Sequence, residues 1–409
     1  MSGLGDVGGI VQTMADRASP RPGELAAGTA VVRSVAAKLL APLLAAHSGE
    51  NVAFSPLSIA LALGMLRAGA QGDSAAELDA LFGLDGSFLP AALNAVDQRL
   101  AELDGGDPKR SDGFDGNAHV SLANALWGQD GITWREPFLD TLAADYGTGV
   151  HTVDYRADPE ACRQLINAWV KDQTHGKIPE LLVRGSITGA HVLALTNALW
   201  FKARWMHQFS PSATGPFTTS SGSRVNAPRM VSRELMRYDR GPGWQSVQIP
   251  YVGGHLAVTV VLPDPGLQKT VERSLATDTG MLALLQPNEV QTVHLTMPRF
   301  DVDTATALLD VLSATGVRSP FVAGTGDFDP MTADAVVWID RVAHQATVTV
   351  DEQGTEAAAA TAVMGVAASV RRPVEPVTVV VDRPFYFAIT TTDDLLPLFL
   401  GRVTDPTTK

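Results

Sequence analysis

The sequence predicts an α+β fold, because helical patterns fill its first part and strand patterns dominate the rest. Long apolar helical stretches lie at about 25–46 and 56–70. Alternating or continuous β-type runs recur at 191–205, 292–303 and 336–350. Because strands and helices do not alternate regularly along the chain, parallel βαβ units are not indicated, and we expect antiparallel or mixed sheets.

The length and composition favour one large domain. The chain has 409 residues, of which 45% are hydrophobic, and no clear linker interrupts residues 28–406. Residues 1–24 contain neither the basic nor the apolar segment of a secretory signal, so we expect a disordered leader followed by a single domain over 25–409. The lack of a visible signal predicts a cytoplasmic location, and export by another route stays open.

Charge and residue chemistry argue against several classes of function. The sequence carries 31 basic and 44 acidic side chains, and this net charge of −13 argues against a nucleic-acid groove or an anionic membrane surface as partner. No apolar run approaches the roughly 20 residues that a membrane-spanning helix needs. The single cysteine, Cys162, rules out an internal disulfide and is expected to be a buried hydrophobe. Because no paired-cysteine, H-E-x-x-H or G-x-S-x-G pattern is present, we expect no metal, no cofactor and no enzyme activity.

The early helices have recognisable ends. Ser55 is placed to cap a helix whose first position is Pro56, and the apolar run that follows predicts a central buried helix. Ser74 and Glu77 have the spacing of a capping box for the next helix. Pro42 is expected to disturb the first helix.

The later segments predict a sheet together with an amphipathic helix. The nearly continuous apolar run at 191–205 indicates a central strand that is buried on both faces. Residues 158–178 have the pattern of an amphipathic helix, and Gly253-Gly254 separates two β-type runs as in a hairpin. Residues 336–350 alternate for most of their length and predict a long strand that leads directly into an alanine-rich segment.

That segment, residues 351–383, is unlike an ordinary core element. Gly354 gives the backbone freedom, and the alanines that follow lose no side-chain entropy when they become ordered. With the period of two that a strand imposes, Thr355 shares one face with small residues, while Glu356 lies on the other face. Composition alone favours a flexible surface loop, whereas the alternation would allow one face to be buried without burying a charge.

Five segments of the chain resemble the serpin family of serine-protease inhibitors. The alanine-rich segment contains EQGTEAAAAT, which is similar to the family's hinge pattern of Glu, any residue, Gly, Thr, any residue and then small residues. Four other segments match the family in order and spacing: NVAFSPLSIALALGMLRAGAQGDSAAEL, INAWVKDQTHGKI, TNALWFKARW and RPFYFAITTTDDLLPLFLGRVTDP. Together the five cover about residues 28–406.

The resemblance implies a serpin fold with about three β-sheets, eight or nine helices and an exposed reactive-centre loop at about 352–383. It assigns the hinge of that loop to Glu352, Gly354, Thr355, Glu356, Ala357, Ala358, Ala359 and Ala360. It places a group of polar residues, the shutter, beneath the opening of the largest sheet: Ser55, Ser58, Asn197 and His344. It assigns Trp205 to the breach of the same sheet.

The resemblance also implies suicide inhibition. A serine protease would attack the loop as a substrate and form an acyl-enzyme, and the cut loop would then insert into the largest sheet and distort the tethered protease before deacylation. The implied partner is a serine protease in covalent complex with a monomer. Only Lys109 and Arg110 are basic where polyanion-activated members carry a basic helix, so a heparin-type activator is not implied.

The scissile bond follows from the same resemblance. Counting sixteen positions from Glu352, as inhibitory members do, gives the bond between Ala368 and Ser369. A small residue before the cut predicts an elastase-like or subtilisin-like target. Because the chain after Ser369 is several residues longer than is common, cleavage at Arg371 or Arg372 by a trypsin-like protease is an alternative. A non-inhibitory serpin that acts as a carrier or chaperone is a second alternative.

Overall fold

The computed structural model describes residues 9–103, 118–339, 341–355 and 376–408. Nine α-helices lie in this part of the chain, together with a π-helical turn at Leu142–Tyr146 and a 3₁₀ turn at Ser319–Phe321. The α-helices are α1 Glu24–Ala46, α2 Pro56–Ala68, α3 Gly72–Phe82, α4 Leu89–Leu103, α5 Glu136–Thr141, α6 Pro159–Gln173, α7 Gln268–Leu275, α8 Asp278–Leu285 and α9 Leu308–Ala314.

Seventeen strands accompany the helices in the described ranges. They are β1 Ile10–Val11, β2 Val52–Phe54, β3 His119–Leu122, β4 Ala125–Gln129, β5 Val150–Val153, β6 Leu193–Arg204, β7 Ser210–Thr218, β8 Arg224–Gly241, β9 Trp244–Pro250, β10 Leu256–Pro263, β11 Glu289–Pro298, β12 Phe300–Ala307, β13 Val342–Val350, β14 Gly354–Thr355, β15 Val377–Val380, β16 Phe385–Thr391 and β17 Pro397–Val403. The mixture of helices and antiparallel and parallel pairings confirms the predicted α+β class.

The strands form two hydrogen-bonded sheets. Sheet A has the order β1-β5-β4-β6-β14-β13-β12, and β3 also pairs with β6. Sheet B has the order β15-β11-β8-β9-β10-β16-β17-β2, and β7 also pairs with β8. The expected three sheets are joined into two because β8 is 18 residues long and pairs with β7 and β11 over most of its length and with β9 at its end.

The core forms around α1 and α2, which pack against each other and against sheet B. Ser55 caps α2 as predicted, because its Oγ accepts a hydrogen bond from the Ser58 N–H at 3.1 Å and Pro56 occupies the first turn. Pro42 does not interrupt α1, which continues to Ala46. By length and composition α1 could cross a membrane, yet its valine and leucine face belongs to the hydrophobic core.

The predicted capping box of α3 is wrong. The helix begins at Gly72, so Ser74 lies inside its first turn, and the Ser74 hydroxyl donates to Asp327 Oδ2 at 2.7 Å. The Glu77 carboxylate instead accepts hydrogen bonds from Ser319, including its N–H at 2.7 Å. Both side chains therefore connect α3 to a distant segment of the chain, a use that local spacing does not reveal.

The segment 9–23 lies against the edge of sheet A. Within it, β1 pairs antiparallel with β5, with Ile10 opposite His151. Arg17 binds α4 through an ion pair with Asp97 at 2.6 Å. The expectation of a disordered leader is therefore wrong for this segment. Its contacts with a sheet edge and with a charged side chain, both from distant parts of the sequence, offset the entropy that the segment loses when it becomes ordered. The rest of the predicted leader lies outside the described residues.

Helix α6 lies across sheet A, as its amphipathic pattern suggested. Ile166 and Val170 belong to a second apolar cluster with residues of β4 and β6, and the Trp169 ring meets that of Trp127 edge-on at 5.4 Å. Cys162 is buried in the same cluster, and burial raises the pKa of its thiol. This agrees with its predicted role as a small hydrophobe.

Candidate functional site at the opening of sheet A

At the centre of sheet A, β6 and β13 pair in parallel. In the closed part of this junction, residues 195–199 of β6 pair directly with residues 342–346 of β13. Beyond this part the two strands separate, and β14 lies between them. We call this end of the junction, near Ala203 and Val350, the upper end. There Thr355 pairs with Ala203 on β6 and with Val350 on β13.

Gly354 and Thr355 fit this gap for different reasons. A Cβ on Gly354 would lie 2.0 Å from the carbonyl oxygen of Ala203, so only glycine allows the backbone to approach so closely. Thr355 is fully buried, and its hydroxyl forms a 2.6 Å hydrogen bond with that of Tyr251. A small residue with one hydroxyl therefore satisfies both the space and the polar partner of this position.

Trp205 lies directly beside the segment that leads into β14. Its backbone N–H donates to the Gln353 carbonyl at 3.0 Å, and its indole Nε1 donates to the Asp351 carbonyl at 2.8 Å. The indole also stacks on Tyr251, with ring centroids 4.7 Å apart and an angle of 5° between the planes. Complete burial raises the pKa of Tyr251, so this hydroxyl stays protonated. Trp205 thus holds the backbone that precedes Gly354.

Glu352 lies at the mouth of the gap. Its carboxylate accepts a hydrogen bond from Arg299 Nε at 2.7 Å, and its carbonyl accepts one from the Phe209 N–H at 2.9 Å. Of the predicted hinge, the structure therefore brings Glu352, Gly354 and Thr355 together at the upper end. The remaining predicted residues of the loop lie outside the described residues: Glu356, Ala357, Ala358, Ala359, Ala360, Ala368, Ser369, Arg371 and Arg372.

The four predicted shutter residues form one buried hydrogen-bonded group under the closed part. Asn197 and His344 are opposite each other on β6 and β13, and His344 Nδ1 is hydrogen-bonded to Asn197 Oδ1. Asn197 Nδ2 donates to Ser58 Oγ at 2.7 Å, and the Ser55 N–H donates to His344 Nε2 at 3.2 Å. The side chains that bridge the two strands are therefore anchored on the first turn of α2.

Asn124 is a member of this group that the sequence analysis did not identify. Its Oδ1 accepts hydrogen bonds from Ser58 Oγ at 2.9 Å and from Asn197 Nδ2 at 3.0 Å, while its Nδ2 donates to the Ser58 carbonyl at 2.9 Å. It occupies the break between β3 and β4. The only signal in the sequence was a lone amide in the largely apolar run AHVSLANALWG at 118–128.

The environment of His344 determines its protonation. Because Nε2 accepts the Ser55 N–H, the ring proton lies on Nδ1, where it is donated to Asn197. His344 is 1% exposed, and desolvation lowers its pKa to about 3. The imidazole is therefore neutral at physiological pH, and protonation would require an additional acceptor that the group does not offer.

Among the residues that the structure describes, no group of three His, Cys, Asp or Glu side chains could hold a metal ion. The site consists instead of a gap between two parallel strands, a short segment that already occupies its upper end, and a polar group beneath the closed part. Such an arrangement can exchange one set of strand pairings for another without leaving buried polar groups unpaired.

Comparison with known proteins identifies relatives over most of the chain. The family model described as "Serpin (serine protease inhibitor)" matches residues 30–406. Leukocyte elastase inhibitor A of Rattus norvegicus is 32% identical over 368 residues, which cover 87% of this chain and 93% of the relative. Because relatives of this kind are inhibitors rather than catalytic enzymes, the prediction of no enzyme activity is confirmed.

Solved structures share the fold. The crystal structure of the thermophilic serpin tengpin in its native state has a TM-score of 0.81 and 25% identity, and the match covers 97% of both chains. A complex of thyroxine-binding globulin with thyroxine has a TM-score of 0.76 and 25% identity, and the match covers 93% of this chain and 99% of that one. With a family model that spans nearly the whole sequence and a native serpin that matches the whole fold, the chain belongs to the serpin family of protease inhibitors.

Proposed function

We propose that residues 25–409 act as one domain that inhibits a serine protease by the suicide mechanism. The protease cleaves the reactive-centre loop, about 352–383, and forms an acyl-enzyme, and the cut loop then inserts between β6 and β13. The observation that carries this proposal is the position of β14, because Thr355 already pairs with both strands at the upper end and Gly354 pairs with β6. Insertion would therefore extend β14, which already lies between the two strands.

The register of β14 predicts how insertion would proceed. Continued along β6 and β13, the same register brings residues 356–358 opposite the stretch where the two strands are already apart. Residue 359 is the first that requires a direct pair, Leu199 with Ala346, to separate. Each inserted residue costs about 1–2 kcal/mol of backbone entropy, which two new ladders of hydrogen bonds and the burial of small side chains have to exceed.

The same register assigns a role to the shutter. Thr361 would lie between Asn197 and His344 after insertion, on the face that carries Thr355. A hydroxyl there can donate and accept, so it can replace the hydrogen bond that these two side chains lose when the strands part. We therefore assign Ser55, Ser58, Asn197 and His344 to holding the sheet closed until insertion, and Trp205 to guiding the loop at the breach, which is the upper end.

We infer that the scissile bond is Ala368-Ser369 and that the target is an elastase-like or subtilisin-like protease. The name of the rat relative, leukocyte elastase inhibitor, supports a target that accepts a small residue before the cut. Arg371 and Arg372 remain the alternative, for a trypsin-like target. The complex is expected to be covalent, with one protease per inhibitor monomer, and a cytoplasmic location stays a prediction.

The experiment is to incubate the protein separately with pancreatic elastase, subtilisin and trypsin. Gel electrophoresis in SDS shows whether a covalent complex forms, and mass spectrometry identifies the released C-terminal fragment. We expect a complex with elastase or subtilisin and a fragment that begins at Ser369. A complex only with trypsin, with a fragment that begins at Arg372 or Pro373, would contradict the assigned bond while leaving the mechanism intact.

Thermal unfolding separates inhibitors from carriers. An inhibitor gains two strand ladders when its cut loop inserts, so its midpoint of unfolding should rise by tens of degrees after cleavage at any site in the loop. A carrier or chaperone that does not insert its loop should keep or lose stability. An unchanged midpoint in a fully cleaved sample would therefore exclude the suicide mechanism.

A further inference from the structure

A histidine side chain lies in the interface between α6 and sheet A. His151 belongs to β5, and its ring contacts two indoles. The ring centroid lies 4.6 Å from that of Trp127 on β4 and 5.4 Å from that of Trp169 on α6. Only 7% of His151 is exposed to solvent. The imidazole therefore forms part of the contact that holds α6 on the sheet.

The imidazole of His151 is not fully hydrogen-bonded in this position. Its Nδ1 is buried and has no hydrogen-bond partner among the residues that the structure describes. A buried polar atom without a partner destabilises the packed state, because it has lost its contacts with water and gained none in exchange. Protonation would add an N–H on the second nitrogen and a positive charge. The packed position of α6 therefore favours the neutral ring over the charged one.

The ionisable groups on the surrounding elements do not offset this cost. The strands on either side of β5, which are β1 and β4, contain no ionisable side chain. Asp154, which follows β5, accepts hydrogen bonds from Gln129 and Ala157. The ionisable side chains of α6 and of the turn after it are exposed, engaged in other contacts or, for the thiol, neutral: Glu160, Cys162, Arg163, Lys171, Asp172 and His175. Desolvation accordingly lowers the pKa of His151.

Helix α6 also covers the place where the cut loop would insert. The apolar cluster beneath α6 includes Ala198 of β6 and Ala343 of β13, so it extends across the junction between these two strands. In the register of β14, residues 360 and 362 would lie opposite these alanines. Because the interior is closely packed, the loop needs α6 to leave its packed position before it can enter there. That movement exposes His151 to water.

We propose that His151 is a proton-sensitive switch, in which protonation of the imidazole at a pH below about 6.5 releases α6 from sheet A and so accelerates insertion of the loop. The effect on insertion rests on the proposed function. The exposed ring has the ordinary pKa of histidine, whereas burial under α6 lowers the pKa of the packed ring. The released state therefore binds the proton more readily, so acid favours release and neutral pH favours packing.

The two indoles provide a competing interaction, because the face of an indole ring attracts a cation. This attraction would hold an imidazolium in place, and α6 would then pack more firmly in acid. The rings of Trp127 and Trp169 are inclined to that of His151 by 32° and 61°. An indole has an N–H donor and no acceptor, so neither ring can accept a hydrogen bond from the imidazolium N–H groups. The buried Nδ1 without a partner therefore favours release over retention.

The first test measures hydrogen–deuterium exchange of the α6 amides by mass spectrometry at pH 7.5 and pH 5.5, corrected for the intrinsic exchange rates. Since the released ring titrates near pH 6.5, the equilibrium constant for release of α6 should rise about tenfold between these pH values. The variant His151→Phe keeps an aromatic ring and cannot titrate, so its α6 should be better protected and should not show this rise. The matched control is His294→Gln, at an exposed position of β11, which should behave like the wild type.

The second test measures strand insertion without a protease. A synthetic peptide with the sequence of residues 356–368 is added to the intact protein, because it can pair with β6 and β13 in place of the loop. Its rate of incorporation should be about tenfold higher at pH 5.5 than at pH 7.5 in the wild type, and this increase should be lost in His151→Phe. A contribution from His344, which lies beneath the same closed part, is common to both proteins and cancels when they are compared.

The outcomes separate this proposal from the proposed function. An equal pH dependence of α6 exchange in the wild type and His151→Phe, or stronger protection of α6 in acid, would overturn the switch even if covalent protease complexes form. A His151-dependent change in exchange with no covalent complex would overturn suicide inhibition and leave the release of α6 standing. If exchange changes tenfold but the rate of peptide incorporation does not depend on pH, the effect of the switch on insertion is wrong.

Discussion

The upper end and the closed part of the β6 and β13 junction are stabilised by different interactions. At the upper end, β14 is held by backbone pairing and by aromatic packing of Trp205 on Tyr251. In the closed part, the two strands pair directly, and a buried group centred on Asn197 and His344 bridges them. Backbone pairing mainly limits the size of a side chain, most strictly at Gly354, whereas the polar group depends on particular side chains.

This difference indicates where the energy barrier to insertion lies. Extending β14 along the separated stretch replaces no strand pairing, because β6 and β13 are not paired there. Opening the closed part breaks both a ladder and the hydrogen bond between Asn197 and His344. We expect substitutions at the upper end to affect whether the loop can insert, and substitutions in the closed part to affect when the sheet opens.

The largest effect is expected for Thr355→Arg, at the upper end. Thr355 is fully buried, so the guanidinium would lose its solvation without a partner, at a cost of several kcal/mol. The variant should be cleaved as a substrate, and the moles of inhibitor consumed per mole of protease should rise at least tenfold. Thr355→Ser keeps the hydroxyl and is the control. Complex formation at the wild-type stoichiometry would contradict an inserting role for position 355.

Asn197→Ala tests the closed part. It removes the partner of His344 and a donor to Ser58, and each buried group left unpaired costs about 1–3 kcal/mol. The variant should polymerise or insert its loop spontaneously after mild heating, as measured by size-exclusion chromatography, and His344→Ala should behave alike. Asn226→Ala, at an exposed position of β8, is the control. Monomer profiles identical to the wild type would exclude a shutter role.

The pH dependence of the free energy of unfolding should reveal the contribution of His344. Its pKa is about 6.5 in the unfolded chain and about 3 in the folded protein, so between these values the unfolded state binds the extra proton. Stability from this group is complete above pH 6.5 and decreases as the pH falls, by about 2 kcal/mol at pH 5. Urea unfolding of the wild type and His344→Gln at pH 8 and pH 5 measures it. Equal losses in the two proteins would show that other groups are responsible.

The substitution Thr361→Val tests the upper end and the closed part together, because residue 361 is predicted to reach the shutter only after insertion. The native form should keep its stability, whereas the cleaved form should lose about 1–3 kcal/mol, since valine cannot bond with Asn197 and His344. Unfolding in guanidinium of both forms measures this difference. Thr361→Ser, which retains the hydroxyl, should resemble the wild type. An unchanged cleaved form would argue against the register derived from β14.

The smallest effect is expected for Tyr251→Phe, which removes the hydrogen bond to Thr355 and keeps the stacking on Trp205. The free energy of unfolding should fall by about 1 kcal/mol. Tyr238→Phe removes only a 3.4 Å contact with Gln245 and should have little effect. A loss as large as that of Asn197→Ala would mean that the upper end, and not the closed part, limits opening.

Much of the fold could be predicted where the signal is local. The continuous apolar run at 191–205 became β6, the Ser55-Pro56 pair became the start of α2, and Gly253-Gly254 separates the paired strands β9 and β10. The predictions failed where residues that form a local pattern bind a distant partner instead. Ser74 and Glu77 have the spacing of a cap, but Asp327 and Ser319 are their partners.

The site shows the same division. Hydrogen-bonding side chains at Ser55, Ser58, Asn197 and His344 were identified by resemblance to a family pattern, and the structure brings them together. Asn124 was missed because one amide in an apolar stretch does not reveal which way it faces. Its place in the group follows from the break between β3 and β4, which only the sheet defines.

By itself the sequence determined the main helices and strands, such as α2 and β6, and which residues of the loop are small enough to enter a sheet, because propensity and periodicity act over a few neighbouring residues. Only the tertiary structure decided that β6 and β13 separate at one end, that Gly354 and Thr355 fill the gap, and that β1 lies on the edge of sheet A. These features depend on pairings between residues more than a hundred positions apart, and no local pattern contains them. They are also the features from which the function is argued.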